Sequence, residues 1–233
     1  MKAPDLSEAV RGGLRREAMA IEALAYKLAT ALARELSLSE DDRDIAAYAL
    51  HGLFSVSFYI SMLLVTAWML GQLQNTIVVA ATVAVLRTFM GGAHASTGWR
   101  CGLIGAVMMN AAAAAARALE GAGAFHSPSL LVAVAACLAA LALWAIAAYC
   151  PADVPAKPIT DPVQRRRLRL ISASLVIGGW MPLALASVLR EWESVYFGTV
   201  AGLVLQLLLV TPVGFGWSER VDAYLDKLVR KEE

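Results

Sequence analysis

Long apolar runs separated by short polar breaks constrain this chain more than any other feature. Six of them recur, over residues 47–70, 73–90, 101–119, 128–149, 169–189 and 195–214. Each is near the roughly 17–25 residues that a helix needs to cross a hydrocarbon core. Soluble domains are about 45–50% apolar, whereas 59% of this chain is hydrophobic, an excess that points to lipid. The pattern predicts an all-α, polytopic membrane protein of about six transmembrane helices preceded by an N-terminal amphipathic helix. Residues 1–233 then form a single integral-membrane domain, with an N-terminal region 1–45, a membrane body 46–215 and a tail 216–233.

The amphipathic helix is expected over residues 6–36. Leu14, Ala18, Ile21, Ala25, Leu28 and Leu32 recur at steps of three and four, with Arg11, Arg15, Arg16, Glu22 and Arg34 elsewhere. Such a helix lies on the membrane surface, packs on the protein body or serves as a platform for a partner peptide. Ser39 followed by Glu40-Asp41-Asp42 marks the next helix start, with Ser39 as the cap. The third run, with Asn110, Arg117 and Ala111 to Ala116, is only moderately apolar, which suggests burial against protein. Trp180, Trp192 and Trp217 near run ends suit the aromatic belts of a bilayer. The first forty residues contain no short apolar core of the kind a cleavable signal needs.

Charge sets the orientation. With six crossings, every Lys and Arg except Arg117 and Arg190 falls on one side, out of a total of twenty. Cytoplasmic loops carry such an excess, so both termini and the break near residues 87–101 are expected to face the cytoplasm. A reducing compartment keeps thiols free, and Cys101, Cys137 and Cys150 show no disulfide framework or metal-ligand spacing.

The break Arg87-Thr88-Phe89-Met90-Gly91-Gly92-Ala93-His94-Ala95-Ser96-Thr97-Gly98-Trp99-Arg100-Cys101 places one His and one Cys seven positions apart. On an unbroken helix they would share a face but stand about 10.5 Å apart along the axis, beyond the reach of proton transfer. Gly91, Gly92 and Gly98 tolerate the bend that would bring them together. Taken alone, the pair is also what chance placement gives. If Cys101 opens the third helix, that helix N-terminus and the neighbouring Arg100 both favour a thiolate. The N–H groups there, including that of Gly102, could receive an oxyanion, and His94 would serve as base toward the thiol and acid toward the leaving amine. Asp153, on the proline-rich loop at the same side, is a candidate to orient His94. Arg165, Arg166 and Arg167 read as an interfacial anchor or as a site for an acidic peptide segment. No metal or cofactor is expected, because zinc needs three or four ligands and no phosphate-binding glycine motif occurs. Nothing suggests a nucleic-acid partner.

Arg87-x-x-x-Gly91-Gly92-Ala93-His94-Ala95, with Cys101 seven residues after the His, resembles the signature of the AgrB family, the membrane endopeptidases of bacterial quorum sensing. Tyr149-Cys150-Pro151-Ala152-Asp153, running to Lys157-Pro158-Ile159 and a basic cluster, resembles that family's second motif, although Cys150 stands where Ala is common. The resemblance implies a homodimer in the bacterial inner membrane that cuts the C-terminal part from an AgrD-like precursor peptide. It makes Cys101 the nucleophile of an acyl-thioester and His94 the general base; in cyclising members the thioester is then closed into a macrocycle. Arg87, Gly92, Asp153, Lys157 and Pro158 fall on matching motif positions. Arg87, Gly91, Gly92, Gly102 and Asp153 are expected to support or orient the pair, and Lys157, Pro158, Arg165, Arg166 and Arg167 to contact substrate. The rival is a membrane scaffold or peptide exporter whose polar loop only binds. A further alternative keeps the enzyme but gives it an unrelated peptide.

Overall fold

Six helices in the computed structural model are long and apolar enough to cross a membrane. The structure describes residues 6–123, 127–153 and 158–230. In chain order the helices are α1 (Leu6–Leu36), α2 (Glu40–Met69), α3 (Leu73–Met90), α4 (Gly98–Gly121), α5 (Pro128–Tyr149), α6 (Pro162–Leu175), α7 (Met181–Leu189), α8 (Glu193–Val210) and α9 (Pro212–Arg230). A π-helical turn, Val176–Trp180, joins α6 to α7, so the two cross as one span. Among the described residues there is no strand, only an isolated bridge between Gly91 and Ala152. The chain is an all-α polytopic membrane protein with an additional N-terminal helix.

Ser39 caps α2 as its sequence predicts: its Oγ accepts from the Asp42 N–H at 3.1 Å. Asp161 does the same for α6 through the Val163 N–H at 2.9 Å, with Pro162 at the first position, where a missing N–H costs nothing. In α1, Ala25 and Ala29 form a buried seam packed on α2, while Leu24, Leu28, Leu32 and Leu36 are exposed.

The spans are not equally enclosed. In α8, 61% of the apolar window is buried, against 11% in α2. Lipid tails give apolar side chains no reason to cluster, so membrane helices associate through close backbone approach. Gly198 and Gly202 provide it: a Cβ at either would lie 2.8 Å from Val78 or 2.7 Å from Thr82 on α3. Thus α8 sits at the centre, against α3 and α4, with α5 and α7 on its other flank. The expected burial of the weak third run is corrected, since only 17% of the α4 window is enclosed. Its polar residue instead ties helices together. Asn110 Nδ2 donates to Thr66 Oγ1 at 3.0 Å, and Gln72 Nε2 donates to the Asn110 carbonyl at 2.9 Å. Trp180 is not a belt residue; it is buried, and its indole N–H donates to the Thr199 carbonyl at 2.9 Å.

Candidate active site

At one end of the bundle, the chain leaves α3 through Gly91 (φ +74°) and Gly92 (φ +141°), conformations that side chains with a Cβ rarely adopt. A Cβ on Gly91 would also lie 2.4 Å from the Ala152 carbonyl oxygen. That close approach exists because the two motif loops are bonded directly. The Gly92 N–H donates to Ala152 O at 3.0 Å, and the Ala152 N–H donates to Met90 O at 2.8 Å. The Ala93 N–H reaches Leu209 O at 2.9 Å, so the same loop is pinned to the end of α8. Gln206, fully buried in α8, donates from Nε2 to Gly91 O at 2.9 Å.

This pinned backbone fixes His94. Its Nδ1 lies 2.7 Å from the Gly92 carbonyl oxygen. A carbonyl only accepts, so Nδ1 carries the proton and the neutral ring keeps its lone pair on Nε2. The Arg87 guanidinium bonds the Ala93 carbonyl and comes within 3.4 Å of Nδ1. Loss of hydration, then the charge of Arg87, hold His94 below its ordinary 6.5, against an opposing pull from the Gly92 carbonyl. The ring is therefore neutral at physiological pH, the state a base requires.

Cys101 does not open its helix as expected. Thr97 is the N-cap, α4 begins at Gly98, and the Cys101 N–H already bonds Thr97 O at 3.0 Å. The unpaired N–H groups of the helix end precede the cysteine. Gly102 lies in the next turn, where helix geometry directs its N–H back to a carbonyl, and its lack of a Cβ lets the Tyr59 ring approach to 2.5 Å of where that atom would be. The Cys101 thiol is half-buried, in the wall of a cavity of ≈ 130 Å³ that Arg87 and Trp217 also line. Among the described residues, no hydrogen bond joins it to His94. Arg87 is the shared neighbour, bonded beside the His and lining the cavity of the Cys. Catalytic hydrogen bonds are often loose before substrate binds.

Arg100 was expected to act on the thiol, but its charge is used elsewhere. Its guanidinium is buried and pairs with Asp226 at 2.8 Å and Asp222 at 3.4 Å, both on α9, and donates to Ser96 Oγ at 3.1 Å. Asp222 also accepts from the Ser96 N–H at 3.3 Å. These bonds tie α9 over the His–Cys loop. Sequence reasoning treated this segment as a tail and Trp217 as a belt residue. The alternation of acids at 222 and 226 with apolar positions was the available signal.

Asp153 is engaged within its own loop. Its Oδ2 accepts from the Ile159 N–H at 2.8 Å and from Arg165 Nη1 at 3.0 Å. The Ile159 N–H is the main reason its carboxyl is held below the usual range, with Arg165 contributing. The partner of His94 Nδ1 is thus a backbone carbonyl rather than this carboxylate. Arg165 also donates to Ile159 O at 3.1 Å, whereas Arg166, Arg167 and Pro158 are exposed. Lys157 and His126 lie outside the described residues. Among the described residues no group of three His, Cys, Asp or Glu is placed to hold a metal ion.

The family model described as accessory gene regulator B matches residues 25–210, a stretch that contains both bonded loops and all six spans. The chain belongs to the AgrB family. Comparison with curated proteins and with solved structures finds no match. Membership gives the chain a general AgrB-type, peptidase-like processing role at a membrane.

Proposed function

We propose that this AgrB-family protein is a cysteine endopeptidase of the bacterial inner membrane that processes an AgrD-like precursor peptide from the cytoplasmic side. The observation that carries the reading is the 2.7 Å approach of His94 Nδ1 to the Gly92 carbonyl oxygen, an acceptor that favours the proton on Nδ1 and leaves Nε2 to act as base. Nε2 takes the Cys101 proton, and Sγ attacks the carbonyl carbon of the scissile bond. The tetrahedral intermediate collapses as His94 returns the proton to the leaving amine, and the N-terminal part of the peptide remains as a thioester on Cys101. A Cys or Ser of that peptide then attacks the thioester carbonyl, closes a ring and releases the thiol. Exchange between thiols costs little free energy, so the acyl group stays activated as long as water is kept away. Trp217 and the apolar end of α8 at Leu205 and Leu209 line the same cavity as Cys101 and suit that demand.

In this reading Arg166 and Arg167, both exposed beside the second loop, meet an acidic stretch of the peptide. The alternative, a scaffold or exporter, needs no nucleophile. Co-expression of wild type or Cys101→Ala with a small peptide encoded beside it, followed by intact-mass spectrometry of the membranes, separates the two. Shortening by wild type alone supports the peptidase; shortening by both removes Cys101 as the nucleophile.

A further inference from the structure

Two consecutive peptide units precede His94, and each is held at both ends. The unit between Gly91 and Gly92 accepts from Gln206 Nε2 at 2.9 Å through its carbonyl, and its N–H donates to Ala152 O at 3.0 Å. The unit between Gly92 and Ala93 donates its N–H to Leu209 O at 2.9 Å, and its carbonyl oxygen lies 2.7 Å from His94 Nδ1. Gln206 and Leu209, three residues apart, reach the loop from one face of α8. Main-chain carbonyls supply two of these contacts and the His94 ring a third. Gln206 alone contributes through a side chain outside the loop, so it is the contact that a substitution can remove.

The amide is out of keeping with its surroundings. Gln206 is fully buried in a span whose other enclosed residues include Leu203, Leu205, Leu207 and Leu209, and its Oε1 has no partner among the described residues. A buried amide with an unmet acceptor is costly, and an apolar side chain of equal length would avoid that cost. The bond to Gly91 is what offsets it. A peptide unit between two glycines has no Cβ to oppose its rotation, and Gly91 (φ +74°, ψ −152°) and Gly92 (φ +141°) sit where that freedom is used. A half-turn of this unit would carry its carbonyl away from Gln206 and its N–H away from Ala152. The Gly92 torsion would change with it, and so would the direction of the carbonyl that faces His94.

We infer that Gln206 is a positioning residue for His94: by holding the Gly91–Gly92 peptide in one orientation, it keeps the Gly92 carbonyl against Nδ1 and leaves Nε2 free to accept a proton. The inference rests on the role of His94 as base proposed above and adds what keeps that base in its working tautomer. Gln206 touches neither the thiol nor the scissile bond; it acts through the loop.

The test compares wild type, Gln206→Met and His94→Gln as full chains in lipid nanodiscs. Met keeps the length of the side chain and removes the donor. Nitrogen NMR of the imidazole rings reads the tautomer directly; the chain has three His, so the difference from His94→Gln assigns the signal. Wild type should show His94 protonated on Nδ1, and Gln206→Met should lose that preference and populate both tautomers. The second readout is acetylation of Cys101 by p-nitrophenyl acetate, followed by peptide-mapping mass spectrometry. Sγ bonds the acetyl carbon, p-nitrophenolate leaves with the bonding pair, and the thiol proton passes to Nε2. Gln206→Met should slow this step on the order of 10²-fold, the cost of misplacing a reacting group, down to the level of His94→Gln. Protection of the buried Cys150 from iodoacetamide verifies that the variant is folded; if Met exposes it, Gln206→Leu takes its place. Exposure of Cys150 in both variants makes Gln206 a folding residue and overturns the inference. A folded variant that keeps the wild-type tautomer or the wild-type rate also overturns it, while a gap between wild type and His94→Gln still supports the base. If wild type carries the proton on Nε2, or is acetylated no faster than His94→Gln, the base reading fails and this inference with it.

Discussion

Cys101 and Cys150 lie at the same end of the bundle, next to loops that are bonded to each other, yet their surroundings are opposite. Cys101 is in the first full turn of α4, half-buried in a cavity wall that Arg87 shares. Cys150 ends α5 and is fully buried; burial pushes its thiol up to about 11, with Arg169 pulling the other way. A helix start favours negative charge and a helix end opposes it. The contrast teaches that a thiol at a membrane face is not reactive for being there. Helix polarity, accessible space and a His on the adjoining loop set Cys101 apart from Cys150, a small buried hydrophobe.

The most direct way to break the contrast is to exchange the roles by substitution. Cys101→Ala should lower precursor cleavage by on the order of 10³-fold or more, as loss of a nucleophile does, whereas Cys150→Ala should leave it within about twofold; product formation in isolated membranes checks both. Alkylation sharpens the same comparison without mutation. At pH 8 a thiol with a pKa of about 11 is ionised in about one molecule in a thousand. Brief iodoacetamide treatment of native membranes should therefore label Cys101 and spare Cys150, read by mass spectrometry. His94→Gln should cost on the order of 10²-fold or more in the rate of thioester formation, the usual contribution of a general base, with substrate binding little changed.

Smaller effects come from the support. Gly91→Ala forces a Cβ onto a left-handed backbone against the Ala152 carbonyl. Strain of roughly 1–3 kcal/mol should appear as a lower unfolding temperature together with reduced cleavage. The pH profile should shift least. Because the pKa of His94 is lowered, its neutral form persists below pH 6.5, and the activity falls only as pH drops through that lowered value. Arg87→Gln removes the second cause of the lowering, so the acid limb should move up toward 6.5; the pH dependence of Cys101 acylation measures it.

Much of this was legible in the chain. Hydropathy located the six spans, because a bilayer demands length and apolarity that single residues reveal. The Ser39 cap was readable since it depends on neighbours in sequence. The junction of the two loops could only be guessed from sidedness, because the bonds from Gly92 to Ala152 and from Ala93 to Leu209 are made by backbone groups, which every residue carries. Arg100 misled for the same kind of reason. Its neighbour in sequence is Cys101, but its partners in space are Asp222 and Asp226. Gly198-x-x-x-Gly202 was a readable signal for the central position of α8, and it lay in a run already explained by hydropathy alone.

The attachment of the His loop to α8 also has a consequence for biogenesis. Gln206 and Gly91 are separated by 115 residues, so a ribosome must deliver the last span before the first motif can take its shape. Partly inserted chains carry both the histidine and the cysteine, but lack the bonds from Gln206 and Leu209 that pin the loop to α8. A loop that takes its shape only when translation is nearly complete keeps the His–Cys region unformed for most of synthesis.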